Sequence, residues 1–215
     1  MMKEKMIEQT EAFVKDKLKD ESSGHDWYHI YRVKKLALNI AEKEGADSFV
    51  CVMAALLHDI ADEKIAGTEE EGMREVRNWL ESIFVEEPYI KHILSIISSM
   101  SFKGGSGAEM ESIEGKVVQD ADRLDAIGAI GIGRTFAYSG AKGQLMYDPE
   151  IPVRETMTKE QYRNEKSTAI NHFYEKLLKL KHGMNTPYAK KLANDRHAFL
   201  ENFLEQFFEE WEDRK

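Results

Sequence analysis

Leu56-Leu57-His58-Asp59 ends an otherwise apolar run with an imidazole beside a carboxylate. Such a pair either caps a helix and faces water, or it is buried, which is costly unless a divalent cation compensates both groups. Its company points to the second arrangement. His25 and His29 stand four residues apart, on one face of a helix. Asp120, Asp122 and Asp125 interrupt an apolar helical run starting at Val117, a density of carboxylates that a helix packed among others does not ordinarily carry. His29, His58, Asp59 and Asp122 come from three helices and form an N₂O₂ set suited to one divalent ion, which helix bundles build in their cores. The chemistry available to such an ion is activation of water and polarisation of an oxygen on a bound substrate.

The elements that must position these residues read as amphipathic helices throughout. The expected helices run from about Lys3 to Leu18, from Asp26 to Gly45, and from Phe49 to Ala61, followed by about Glu69–Ile83, Pro88–Met100, Glu114–Asp125 and Ala126–Ser139. Two long helices, about Thr158–Lys181 and Pro187–Glu212, close the chain. The third is apolar almost all round, which marks it as the central buried helix, and Gly45 and Asp47 supply a stop and a start before it. A glycine-dense stretch, 101–107, and the longer Gly140–Met157 connection have loop composition. The second has the length of a lid or binding loop, and Tyr138, Met146 and Tyr147 offer stacking surface there.

The 215 residues are 42% hydrophobic, enough to bury a sizeable core, and the absence of alternating strand patterns leaves an all-α chain as the expected fold class. A net charge of −9 excludes a sequence-independent grip on nucleic acid, which needs a basic face. No apolar run reaches the length of a membrane span and no leader pattern opens the chain, so a cytoplasmic protein without membrane contacts is expected. Cys51, the single cysteine, sits in an apolar run and reads as a small buried hydrophobe.

The order and intervals of these residues resemble the signature of the HD superfamily of metal-dependent phosphohydrolases: His29 in an HxxRV context, His58-Asp59 in LLHD, and Asp122 in ADRLD. The runs HDWYHIYRV from His25, VVQDADRLDAIGAIG from Val117 and RHAFLENFLEQF from Arg196 look like the bacterial branch of nucleotide pyrophosphohydrolases, which extends the likeness to most of the chain. The resemblance implies a single HD-type helical bundle over residues 1–215, with its core at about 24–138 and a C-terminal helical extension at about 158–212. It also implies one divalent metal held by His29, His58, Asp59 and Asp122. Manganese comes first, with magnesium, cobalt, iron, nickel or zinc as alternatives. Branches acting on cyclic dinucleotides carry a lysine and extra histidines after the HD pair. Here Ile60-Ala61-Asp62-Glu63 follows, more like the branch that removes pyrophosphate from guanosine tetraphosphate.

A dication held by two aspartates is formally neutral, so basic groups must converge on a polyphosphate substrate. Arg32, Lys103 and Arg123 are the candidate substrate-binding residues, although Arg32 and Arg123 could equally pair buried carboxylates such as Asp59, Asp120 or Asp125. Lys64 reads as a surface lysine. Asp62 and Glu63 are candidates for orienting the attacking water, against a plain solvated helix end. His25 is a third catalytic candidate, facing the phosphates, serving as a further ligand, or capping the helix. The expected reaction on (deoxy)nucleoside triphosphates yields monophosphate and pyrophosphate. A 5′-nucleotidase acting on monophosphates shares the same four ligands, and a non-catalytic nucleotide sensor, docking a partner through the acidic C-terminal helix, is the reading from outside the enzymes.

Overall fold

The computed structural model describes residues 2–19, 26–100, 110–154 and 167–213. His25, Lys103 and the side chain of Lys64 lie outside the described residues, as does the glycine-dense stretch. Helices and turns account for the fold, with no strand among the described residues. No helix there is long and apolar enough to cross a membrane. The chain forms two compact units, Met1–Asp122 and Arg123–Lys215.

The first unit comprises α1 (Met2–Lys17), α2 (Trp27–Glu44), α3 (Ser48–Leu57), a 3₁₀ turn (His58–Ala61), α4 (Glu63–Ala66), α5 (Glu69–Ser82), α6 (Glu87–Met100) and most of α7 (Ile113–Asp125). α3 is its centre, buried from Phe49 to Leu57 and packed by α1, α2 and α6. Asp47 starts α3 by accepting from the Phe49 and Val50 amides. Asp26 does the same for α2 through the amide of His29, and Gly45, at φ +71°, ends that helix with its N–H on the Ala41 carbonyl. Phe13 of α1 stacks on Trp79 of α5 at 4.1 Å between ring centroids, while the Trp79 indole N–H donates to the buried Thr10 hydroxyl at 3.0 Å. Cys51 is wholly buried, and burial pushes its thiol up to about 12, so it is a packing residue.

The expected helix over Phe49–Ala61 is instead divided. α3 stops at Leu57, and His58 to Ala61 wind as a tighter 3₁₀ turn before Asp62 turns extended, with ψ 135°. The cause is the approach of α5: a Cβ built on Gly72 would lie 2.6 Å from Ala61 Cα and 2.9 Å from the Ile60 carbonyl oxygen. Only a residue without a side chain lets the α5 backbone press on the turn that carries His58 and Asp59.

In the second unit Gly128, at φ +74°, separates α7 from α8 (Gly128–Ala141), which therefore starts two residues later than expected. The helix expected from Thr158 is described only after its first half. Thr168 caps α9 (Ala169–His172), a π turn (Phe173–Leu177) follows, and α10 (Leu178–Leu180) leads to a 3₁₀ turn (Lys181–Gly183). The extra residue of the π turn allows Phe173, Glu175 and Leu177 all to be buried. Phe173 stacks on Phe203 of the last helix, α11 (Pro187–Trp211), at 5.6 Å. Burial alone would raise the Glu175 carboxyl, but two-pronged bonding from Arg154, at 2.8 and 2.7 Å, outweighs it and holds the group below its ordinary value. The connection after α8 is strapped down, with Leu145 and Met146 carbonyls accepting from the Ala169 and Ile170 amides at 3.1 Å. Tyr147 is enclosed edge-on by Phe207, Phe208 and Trp211 of α11, so its ring packs this unit rather than standing open for a base. His172 is kept uncharged by burial, with the charge of Lys176 adding to the effect, at a pKa of about 4.

Gly72→Ala is expected to destabilise the protein by about 1–3 kcal/mol, the usual range for overpacking, because the methyl meets backbone atoms that cannot swing aside. Thermal denaturation checks this, and an unchanged midpoint would show that the turn tolerates displacement.

Candidate metal centre

Three elements deliver the site's donors. The Asp26 cap places His29 in the first turn of α2, where its ring is 2% exposed. The 3₁₀ turn supplies His58 and Asp59, the latter 6% exposed. Asp122 enters from α7, whose Val117, Val118 and Ala121 are wholly buried, and its side chain remains 40% exposed. His29 and Asp59 therefore form a dry floor with Asp122 at the rim.

The distances are those of donors gathered round a common point. Asp59 Oδ2 and Asp122 Oδ1 each lie 3.5 Å from His29 Nε2, while His58 Nε2 is 3.2 Å from Asp59 Oδ1 and 4.0 Å from Asp122 Oδ1. Two ligands about 2.1 Å from one ion are separated by roughly 3.0 Å at a right angle and roughly 3.4 Å at the tetrahedral angle. Ligand atoms of His29, His58 and Asp59 all fall within 4.8 Å of one another.

His58 adds a sharper test. Its Nδ1 is 2.9 Å from the Ala55 carbonyl, which can only accept, so Nδ1 carries the proton and Nε2 presents a lone pair. That Nε2 is buried and makes no hydrogen bond. An orphaned imidazole nitrogen turned toward two carboxylates fits a divalent cation, and neutral histidine with carboxylate oxygen is a donor set that Mn²⁺, Fe²⁺, Co²⁺ and Zn²⁺ accept.

The other sequence candidates take different places in the fold. Arg32 is half-buried one turn beyond His29 on α2. Asp62 is half-buried where the 3₁₀ turn ends, and the exposed Glu63 opens α4, both outside the close-set donor group. Arg123 donates through Nη1 to the Gly183 carbonyl. Asp120 is wholly buried, and Asp125 is paired with Arg134 at 2.7 Å, which makes it structural. Sequence reading assigned no partner to His92 or His197. His92 faces Glu114 at 3.6 Å, and His197 faces Glu201 at 3.3 Å, the latter pair recognisable afterwards from its four-residue spacing on one helix.

A family model described as HD domain matches residues 26–127. YpgQ of Bacillus subtilis is 45% identical over 208 residues, covering 95% of this chain and 94% of that protein. Its crystal structure in complex with ADP superposes with a TM-score of 0.79 at 40% identity, over 98% of this chain and 97% of that one. A crystal structure from Lactobacillus plantarum superposes with a TM-score of 0.85 at 43% identity, covering 99% and 100% of the two chains. An HD-superfamily hydrolase from Bacillus thuringiensis is 53% identical, with a TM-score of 0.79 over 98% of each chain.

Replacing His58 or Asp59 by alanine is expected to abolish tight retention of a divalent ion while leaving the helical content in place, since each removes one donor from the close-set group of His29, His58 and Asp59. Elemental analysis of the purified variants decides the matter: full occupancy in both would remove these residues from the site.

Proposed function

This chain belongs to the HD superfamily, and from that membership we propose that it hydrolyses (deoxy)nucleoside triphosphates to the monophosphate and pyrophosphate, using one divalent ion held by His29, His58, Asp59 and Asp122. The observation that carries the reading is the buried, unbonded Nε2 of His58 beside Asp59. The ADP complex of YpgQ supports a nucleotide as the ligand. Manganese is the expected ion.

When bound, the ion supplies a water of lowered pKa and screens charge on the phosphate oxygens. The protein's own groups do the rest. Buried His29 and Asp59 exclude bulk water from the floor, and the half-exposed Asp122 leaves the open side toward which a phosphate can approach. Arg32, one turn from His29, sets positive charge against the non-bridging oxygens of a group carrying about −4, which two aspartates and a dication leave unbalanced. Asp62 or Glu63, three and four residues beyond Asp59, orients the attacking water and takes its proton. The new bond joins that water's oxygen to the α-phosphorus, and the bond from the α-phosphorus to the bridging oxygen breaks, with its electron pair leaving on pyrophosphate. Pyrophosphate is a good leaving group, so no strong acid is needed on that side. His25 and Lys103 enter as phosphate-facing groups on the sequence pattern alone.

Chromatographic product analysis with Mn²⁺ tests the reaction. Equal amounts of monophosphate and pyrophosphate are expected. Diphosphate with orthophosphate would mean γ-attack, and nucleoside released from a monophosphate would mean a 5′-nucleotidase. The amide variant of whichever of Asp62 and Glu63 is the base should retain metal and near-normal KM while kcat falls about 10²–10⁴-fold. Wild-type turnover in both Asp62→Asn and Glu63→Gln would pass the role to another carboxylate.

A further inference from the structure

The turn of α7 that carries Asp122 is also the end of that helix. From the backbone, the carbonyls of Arg123 and Leu124 accept short-range bonds, from Ala126 N at 3.2 Å and Ile127 N at 3.3 Å, before Gly128 breaks the path. Helix ends fray unless their last carbonyls are satisfied. Here guanidinium groups from the two following long helices do so. Arg134 of α8 bonds both the carboxylate and, at 3.4 Å, the carbonyl of Asp125. Arg196 of α11 donates through Nη1 to the Leu124 carbonyl.

Arg196 is the more demanding of the two. Its stem lies against Gly128, where an added Cβ would come within 3.0 Å of Arg196 Cγ, so the chain keeps a glycine there and the stem fills its place. Burial lowers its pKa and nearby Asp125 raises it, the net being a depression, so the cation is held at the negative pole of α7 despite desolvation. Asp122 stands two residues before Leu124. Its carboxylate is 40% exposed, in contrast to the enclosed His29 and Asp59, so side-chain packing does little to hold it. Its place relative to His29 Nε2, 3.5 Å away, depends on the backbone of the last turn.

We propose that Arg196 is a positioning residue for Asp122: by pinning the Leu124 carbonyl, it keeps the last turn of α7 wound and the fourth donor within reach of the ion. The inference rests on the metal-site part of the reading above and is independent of the reaction catalysed.

The test is titration of the metal-free full-length protein with Mn²⁺ alone, read as a dissociation constant by calorimetry or by the resonance signal of free Mn²⁺. Arg196→Met keeps the stem over Gly128 and loses the donors and charge. It is expected to weaken Mn²⁺ binding by about tenfold or more, the scale of losing an outer support of a metal ligand. Arg196→Lys, retaining charge and a donor on a shorter reach, should lose only a few-fold. Arg154→Met is the control. It breaks the Arg154–Glu175 clamp within the same unit and leaves the Arg196–Leu124 bond in place, so it should lower the melting temperature yet leave the Mn²⁺ constant unchanged. Wild-type affinity in folded Arg196→Met overturns the proposal, as does a loss in Arg154→Met equal to that in Arg196→Met. If Arg196→Met does not fold, wild-type affinity in Arg196→Lys overturns it. A wild-type protein that binds no Mn²⁺ would bring down the metal site and this inference together, whereas one that binds Mn²⁺ but spares triphosphates would overturn only the proposed reaction.

Discussion

An aspartate and two histidines are withdrawn from water at one point of the first unit, and that desolvation is the constraint to which the rest of the unit answers. A buried carboxylate left alone is unfavourable by several kcal/mol, and Asp59 shares its site with an imidazole nitrogen that makes no hydrogen bond. Such an arrangement persists only where something else is bound or where the surrounding packing enforces it. The geometry suits the first and the packing supplies the second. The donors face one another at ion-binding separations, and the wholly apolar α3 buries enough surface to anchor the turn that carries two of them.

The precision of the site comes from backbone chemistry rather than from the ligands themselves. Asp26 fixes where α2 begins and so where His29 points, Ala55 sets the tautomer of His58, and Gly72 lets α5 compress the 3₁₀ turn. The three devices act at different points of the chain, yet each constrains a residue of the same cluster. α7 follows the same logic at its C-terminal end, where satisfied carbonyls keep the turn bearing Asp122 from fraying.

Helical periodicity and short spacings made much of this legible in one dimension. The all-α class, the start of α2 near Asp26, the caps at Gly45 and Asp47 and the burial of α3 follow from residue types at helical intervals. What escaped depends on contacts between distant segments. The break of α3 into a 3₁₀ turn needs Gly72 from a later helix, and Arg123 finds its acceptor at Gly183, 60 residues on. Tyr147 offered itself as stacking surface only until α11 folded three aromatic rings against it. The π turn at Phe173–Leu177 has no periodic signature, because it answers to the simultaneous burial of an aromatic ring and of a carboxylate that Arg154 neutralises.

The central claim is that four side chains, His29, His58, Asp59 and Asp122, hold one divalent ion at which a nucleotide phosphate is engaged. Anomalous diffraction at the manganese edge, from crystals grown with Mn²⁺ and a non-hydrolysable nucleoside triphosphate analogue, tests it most directly. The account predicts a single strong peak among the Nε2 atoms of His29 and His58 and the carboxylates of Asp59 and Asp122, with a phosphate oxygen on its open side. A peak elsewhere, or a nucleotide bound away from these four residues, would contradict it.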